Sequence, residues 1–271
     1  LSTAEQPSSL GDVLAKVPAI TLGFWIVKIL ATTLGETAGD TVTMTWLGET
    51  TPDAAGAAVS GYLIGTLIFG IPLLLLVAAQ IRARRFHPAL YWAAIIASTT
   101  FGTTLADFAT RSIGLGYLGG SLLLLALVLA SLVAWRLTLG RIAADDIVSR
   151  GQELFYWITI TFSQTLGTAL GDWVADSGPG YAGGALIFGA AIALVALLWF
   201  TTRLPRAILF WAAFILTRPL GATIGDWFDK PVAKGGLEIS RPLASLILLV
   251  LIVALLWLLP QRAGTHRAEP A

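Results

Sequence analysis

WITITFSQTLGTALGDWVAD (Trp157–Asp176) starts on a tryptophan, runs through apolar and small residues, and ends on carboxylates. Its spacing recurs. Ten residues after Trp25, Trp92, Trp157 and Trp211 stand Gly35, Gly102, Gly167 and Gly221. Four further on come Gly39, Ala106, Gly171 and Gly225, each followed directly by an aspartate: Asp40, Asp107, Asp172 and Asp226. The unit W-x9-G-x3-[GA]-D thus occurs four times, and repeats of this length define an architecture before any local reading does.

The surroundings of these units are apolar. Of 271 residues, 56% are hydrophobic and 12% charged, with a mean hydropathy of +0.80. Soluble domains are nearer a quarter charged. A membrane helix needs about 20 mainly apolar residues. Eight such spans are expected, near 18–38, 57–79, 88–109, 115–135, 153–174, 181–202, 206–228 and 241–259. Arg82, Arg84, Arg85 and His87 follow the second span, Arg136, Arg141 and Arg150 the fourth, and Arg203 and Arg206 the sixth. Arg262, His266 and Arg267 follow the eighth. The opposite loops are poorer in base, with Glu49, Asp53, Arg111, Asp176, Asp229, Lys230 and Lys234. The positive-inside rule then puts both termini in the cytoplasm. Leu1 to Gly11 is polar, with no basic region before an apolar run, and does not read as a cleavable signal peptide.

Each repeat is two spans, so all four enter the membrane in the same direction and form parallel repeats about an axis along the membrane normal. The expected fold is all-α: eight transmembrane helices as four parallel two-helix repeats around a pseudo-fourfold axis, most simply a ring of hairpins. Residues 1–17 form a cytoplasmic segment and 18–259 one transmembrane domain, with repeats at about 18–80, 86–137, 151–203 and 205–259. Residues 260–271 form a cytoplasmic tail. The chain resembles a bacterial integral-membrane family of unknown function, built from four tandem two-span repeats each carrying a tryptophan. The likeness covers about residues 20–259 and implies this topology and a bacterial inner membrane, but no activity.

At 3.6 residues per turn, offsets 0, 3, 7, 10–11 and 14–15 from each tryptophan share one helix face. Beyond the repeated positions, that face carries Lys28, Thr32 and Glu36; Ile95, Thr99 and Thr103; Ile160, Gln164 and Thr168; and Phe214, Arg218 and Ala222. Polar groups inside a membrane face the interior of a bundle, so the odd spans should line the centre and the even spans should wrap them. Gly35, Gly39, Gly102, Gly167, Gly171, Gly221 and Gly225 suit close helix packing. Trp25, Trp92, Trp157 and Trp211 are expected as interface anchors. Each aspartate lies near a helix C-terminus, where the helix dipole repels it unless a cation compensates or it caps a following helix.

Asp40, Asp107, Asp172, Asp226 and Glu36, with Thr32, Thr99 and Gln164, make an all-oxygen set suited to Mg²⁺, Mn²⁺ or Ca²⁺. Glu36 and Asp40, one helical turn apart, invite a shared proton or cation. Lys28 and Arg218 are the charge-tuning bases of the stripes. GETAGDT (Gly35–Thr41) resembles the acidic glycine-aspartate motifs of manganese and calcium exporters, although those use inverted repeats with fewer acidic motifs. Transport of a divalent cation such as Mn²⁺ or Mg²⁺, in a proton-coupled export, is the leading expectation. An organic solute or anion held by Lys28 and Arg218, or a scaffold without transport, stands beside it. The expected partners are the lipid bilayer and the transported ion or solute, for a monomer or homodimer. No covalent cofactor is expected, only a bound divalent cation. A net charge of +1 gives no reason to expect nucleic acid, and the absence of cysteine excludes disulfides and thiolate metal sites. No enzyme is expected. There is no zinc-ligand set and no Ser-His pair, and GLGYLG (Gly114–Gly119) follows no strand. The G-x3-[GA]-D spacing also departs from that of intramembrane aspartyl proteases.

Overall fold

The computed structural model describes residues 14–49, 59–142 and 147–265. The expectations for 1–13, 57–58, Asp53, His266 and Arg267 lie outside the described residues. Eight long helices account for most of the described chain. They are α1 (Leu22–Asp40), α2 (Gly61–Arg82), α3 (Pro88–Asp107) and α4 (Gly116–Leu139), then α5 (Arg150–Asp176), α6 (Gly180–Thr201), α7 (Arg206–Asp229) and α8 (Arg241–Leu258). Local chemistry sets their ends. The Thr21 hydroxyl accepts from the Phe24 amide, Ser149 and Gln152 form a reciprocal capping box, Pro88 starts α3, and Gly140 ends α4 in the left-handed region.

Six of these helices, α2, α3, α4, α6, α7 and α8, are long and apolar enough to cross a membrane. α1 and α5 carry more polar side chains. The most apolar windows of α2, α4, α6 and α8 are only 11–22% buried, against 61% in α3 and α7. The even helices therefore present broad sheaths of exposed leucine, isoleucine and valine, far more than a water-soluble surface carries.

The odd helices form a closed circuit: α1 packs on α3, α3 on α5, α5 on α7, and α7 back on α1. The even helices differ from the simple hairpin expectation. Each packs mainly on the odd helix of the next repeat, α2 on α3, α4 on α5 and α6 on α7, while α8 returns to α1. Hydroxyl pairs mark two of these contacts, Ser131 with Thr159 at 2.9 Å and Ser245 donating to Thr37 at 2.9 Å.

Glycines explain how closely the ring helices approach. A Cβ at Gly35, Gly102, Gly167 or Gly221 would lie 2.8–3.0 Å from the backbone carbonyl carbon of Thr99, Gln164, Arg218 or Thr32, respectively. Backbone cannot yield as a side-chain tip can, so no larger residue fits. The partner is always the residue seven past the tryptophan of the next repeat, and the fourth repeat closes onto the first. Fourteen past the tryptophan, Gly39, Gly171 and Gly225 meet Thr103, Ala222 and Glu36 in the same cyclic order.

One end of the ring is sealed by aromatic side chains. The ring just before each tryptophan packs on the tryptophan of the next repeat: Phe24 on Trp92 (5.6 Å between centroids), then Tyr91 on Trp157, Tyr156 on Trp211 and Phe210 on Trp25, each 5.8 Å. The Tyr91 and Tyr156 hydroxyls meet at 2.7 Å. The expectation of interface anchors is corrected here. Trp92, Trp157 and Trp211 are buried in the core and Trp25 is half-buried, because each is sandwiched between ring helices. Two short antiparallel strands, β1 (Leu14–Pro18) and β2 (Ala263–Thr265), close over this end. Their Ala15 and Val17 join the aromatic core, and Lys16 bonds to Glu153 at 3.0 Å.

Candidate functional site

Away from the aromatic seal, the ring fills with charge. Arg218, on α7, is fully buried and crosses the centre. Its guanidinium meets Glu36 Oε2 at 2.9 Å, Thr103 Oγ1 at 2.6 Å and Thr168 Oγ1 at 2.5 Å, and also donates to the Thr32 and Thr99 carbonyls. Thr168 donates to the same Glu36 oxygen at 3.1 Å. All four ring helices thus contribute to one plug.

One turn beyond lie the four aspartates, all buried. They do not form one open ring. Arg111 bridges Asp107 at 2.9 Å and Asp172 at 3.0 Å, while Lys230 bridges Asp40 and Asp226 at 2.7 Å each. Asp229 adds a carboxylate 3.7 Å from Lys230 and 3.1 Å from Arg241. Burial opposes the Lys230 charge, but Asp226, Asp40 and Asp229 outweigh it and hold its ammonium well above the ordinary lysine value. These cations supply the compensation that the helix dipole demands. In the first two repeats the chain continues past the aspartate in wider π-helical turns, Thr41–Trp46 and Phe108–Ser112, and the second of these carries Arg111. Such turns are frequent at functional sites.

Carboxylates from three ring helices come together at the centre. Oxygens of Glu36, Asp172 and Asp226 lie within 4.8 Å of one another, and a second group joins Asp40, Asp226 and Asp229. Asp107 belongs to neither. Glu36 and Asp40 fall in different groups and face different cations, Arg218 and Lys230, so the expected shared pair is split. Thr32 gives its hydroxyl to the Ile29 and Thr217 carbonyls at 2.8 and 3.1 Å, which occupies it in helix packing. Thr99 Oγ1 and both polar atoms of the Gln164 amide are buried without a hydrogen-bond partner. Lys28 donates to Thr217 Oγ1 at 3.2 Å and lies 4.1 Å from the centre of the Phe214 ring.

Above the aspartates is a cavity of about 450 Å³. Its lining includes Met44, Arg111, Asp176 and Lys230, the residues four past each aspartate, together with Tyr117 and Tyr181. The ring is therefore open towards this end and sealed at the other. Arg111, Lys230, Asp229 and Arg241 were not among the residues picked out by the stripes. The signal available for two of them was the D-x3-[RK] spacing in the second and fourth repeats, Asp107 to Arg111 and Asp226 to Lys230. A basic residue one helical turn from an acid faces it.

Four successive segments, residues 23–86, 90–140, 155–204 and 209–263, match the Repeat of Unknown Function (DUF347). The chain belongs to this repeat family. Each DUF347 repeat here holds one Trp-to-Asp unit on an odd helix and the even helix after it. No curated protein and no solved structure matches the chain.

Proposed function

We propose that this protein spans the bacterial inner membrane with eight helices around a pseudo-fourfold axis. In this reading it carries a divalent cation such as Mn²⁺ or Mg²⁺ along that axis, in exchange for protons. The exposed apolar sheath of the even helices supports the membrane setting. The cyclic glycine and aromatic contacts support the axis. Arg82, Arg136 and Arg203 flank the sealed end, which the positive-inside rule places in the cytoplasm together with both termini.

The observation that carries the cation reading is the convergence of Glu36, Asp172 and Asp226, buried and from three different ring helices. Charge balance agrees with it. Six buried carboxylates (Glu36, Asp40, Asp107, Asp172, Asp226 and Asp229) face four cations (Arg111, Arg218, Lys230 and Arg241). Two formal negative charges remain, matched by one divalent ion or two protons. Arg111 and Lys230, which also line the cavity, act as tethered counter-cations. Arg218 blocks the axis below the ion. Hard oxygen ligands suit Mg²⁺, Mn²⁺ and Ca²⁺. The test is Mn²⁺ uptake into vesicles holding the purified protein, with Asp172→Asn as control. Mn²⁺-dependent flux in the wild type that falls in the variant supports the reading, and equal flux overturns it.

A second reading has one observation in its favour. Arg111, Lys230, Lys234 and Arg241 all line the cavity, which suits a small organic anion at the mouth rather than at Lys28 and Arg218. Stabilisation by simple carboxylates but not by metal ions would select it.

A further inference from the structure

We propose that Met44 determines the specificity of the cation site, its thioether directing the outer carboxylate group, Asp40, Asp226 and Asp229, to a first-row transition-metal dication such as Mn²⁺ in preference to Mg²⁺ or Ca²⁺. The role rests on the cation reading given above. Met44 is the one methionine among 271 residues. It occupies one of four equivalent positions, four past each aspartate, where the other repeats carry Arg111, Asp176 and Lys230. At this charged level, beside the cavity, it is the one uncharged side chain of the four, and it is buried.

Lys230 marks the place where this group holds positive charge. Its ammonium lies 2.7 Å from Asp40 and from Asp226, and 3.7 Å from Asp229. Met44 Sδ joins them at 4.0 Å and faces the ammonium as an acceptor. A cation at this place is therefore met by three carboxylates and one thioether. The carboxylates have capacity to spare, since Asp40 Oδ1 and Asp229 Oδ1 are buried and make no hydrogen bond. Arg241, the other base here, holds Asp229 through its opposite oxygen, Oδ2, at 3.1 Å. The metal ion takes the ammonium's place, and the cavity, which Lys230 already lines, leaves room for the lysine side chain. The donor set then decides which ion is preferred. Mg²⁺ and Ca²⁺ are hard cations that take oxygen ligands, so a thioether gains them nothing. Sulfur is a soft donor and favours transition metals, and Mn²⁺ is the member of that series that carboxylates also suit. A leucine would fill the same space but offers no lone pair.

The test is a thermal-shift titration of the purified protein with Mn²⁺, Mg²⁺ and Ca²⁺, beside Met44→Leu, an exchange that conserves volume and is among the best tolerated in cores. The wild type should be stabilised at lower concentrations of Mn²⁺ than of Mg²⁺ or Ca²⁺. Met44→Leu should need several-fold more Mn²⁺, with its responses to Mg²⁺ and Ca²⁺ unchanged. An unchanged preference in the variant, or a wild type that favours Mg²⁺ or Ca²⁺, overturns the role of Met44 and leaves the cation reading standing. A wild type that no ion stabilises overturns the cation reading and this role with it. A second measurement does not depend on the variant folding. The single methionine, labelled with ¹³C at its methyl group, gives one NMR signal once any initiator methionine is removed. Zn²⁺, which has no unpaired electron, should shift that signal, and Mg²⁺ should leave it in place. A signal unmoved by Zn²⁺ at concentrations that stabilise the protein overturns the contact between sulfur and metal.

Discussion

Arg218 crosses the middle of the ring, and Glu36 is the carboxylate that holds it there at 2.9 Å. Removing one member of a buried pair strands the other, at a cost of about 3–5 kcal/mol, whereas removing both is far milder. Arg218→Met should therefore lower the melting temperature sharply, and Arg218→Met with Glu36→Gln should recover most of the loss. A double variant as unstable as the single one would mean that Arg218 matters as packing volume and not as charge. The sequence pattern already set Glu36 and Arg218 on ring faces, because helical periodicity fixes direction. It leaves the pairing open. Lys28 and Arg218 were equivalent candidates for Glu36, and only the rotation of α7 against α1 decides between them. Arg111 and Lys230 went unselected for a related reason. They lie just past the stripes, in turns whose geometry a straight-helix pattern does not describe.

At the scale of elements, the glycines position the site. Each ring helix is held against the next by a glycine whose missing Cβ leaves room for backbone, and this brings Glu36, Asp172 and Asp226 within reach of one another. Gly102→Ala would place a methyl group 2.9 Å from the Gln164 carbonyl carbon and the Thr165 nitrogen. Overpacking of this kind costs about 1–3 kcal/mol, and the variant should melt lower and bind Mn²⁺ more weakly. Gly119→Ala, in α4, meets nothing within 4 Å and should be neutral or slightly stabilising, since alanine favours helix. Melting curves of the two variants check both statements, and equal behaviour would contradict the packing role. The existence and order of the eight helices were legible from hydropathy and repeat spacing. The choice of partner for each even helix was not. An all-apolar helix has no preferred face in sequence, and α2, α4 and α6 could pack on either neighbour.

For the whole molecule, the decisive feature is closure of the fourth repeat onto the first. α7 completes the circuit of odd helices by packing on α1, and α8 covers α1 from outside. With no native cysteine, Thr37→Cys with Ser245→Cys offers a clean check, since the parent hydroxyls lie 2.9 Å apart. Mild oxidation should link the two ends of the chain, so that the protein stays in one piece after cleavage of an intervening loop. Failure to link would contradict the closed ring. The number of repeats was readable from the tryptophan and aspartate spacing alone. The aromatic seal was not, because a tryptophan near the end of a membrane helix reads equally well as an anchor.

The most direct measurement is a thermal-shift series on the purified protein with Mg²⁺, Mn²⁺, Ca²⁺, Zn²⁺, Na⁺ and K⁺, run beside Asp172→Asn. A ligand that binds only the native state must raise its apparent stability. The buried carboxylates predict a selective rise with one divalent ion that is lost or greatly reduced in Asp172→Asn, while that variant still folds. Stability indifferent to every ion, or a rise of equal size in the variant, would contradict a cation site at the centre of the ring.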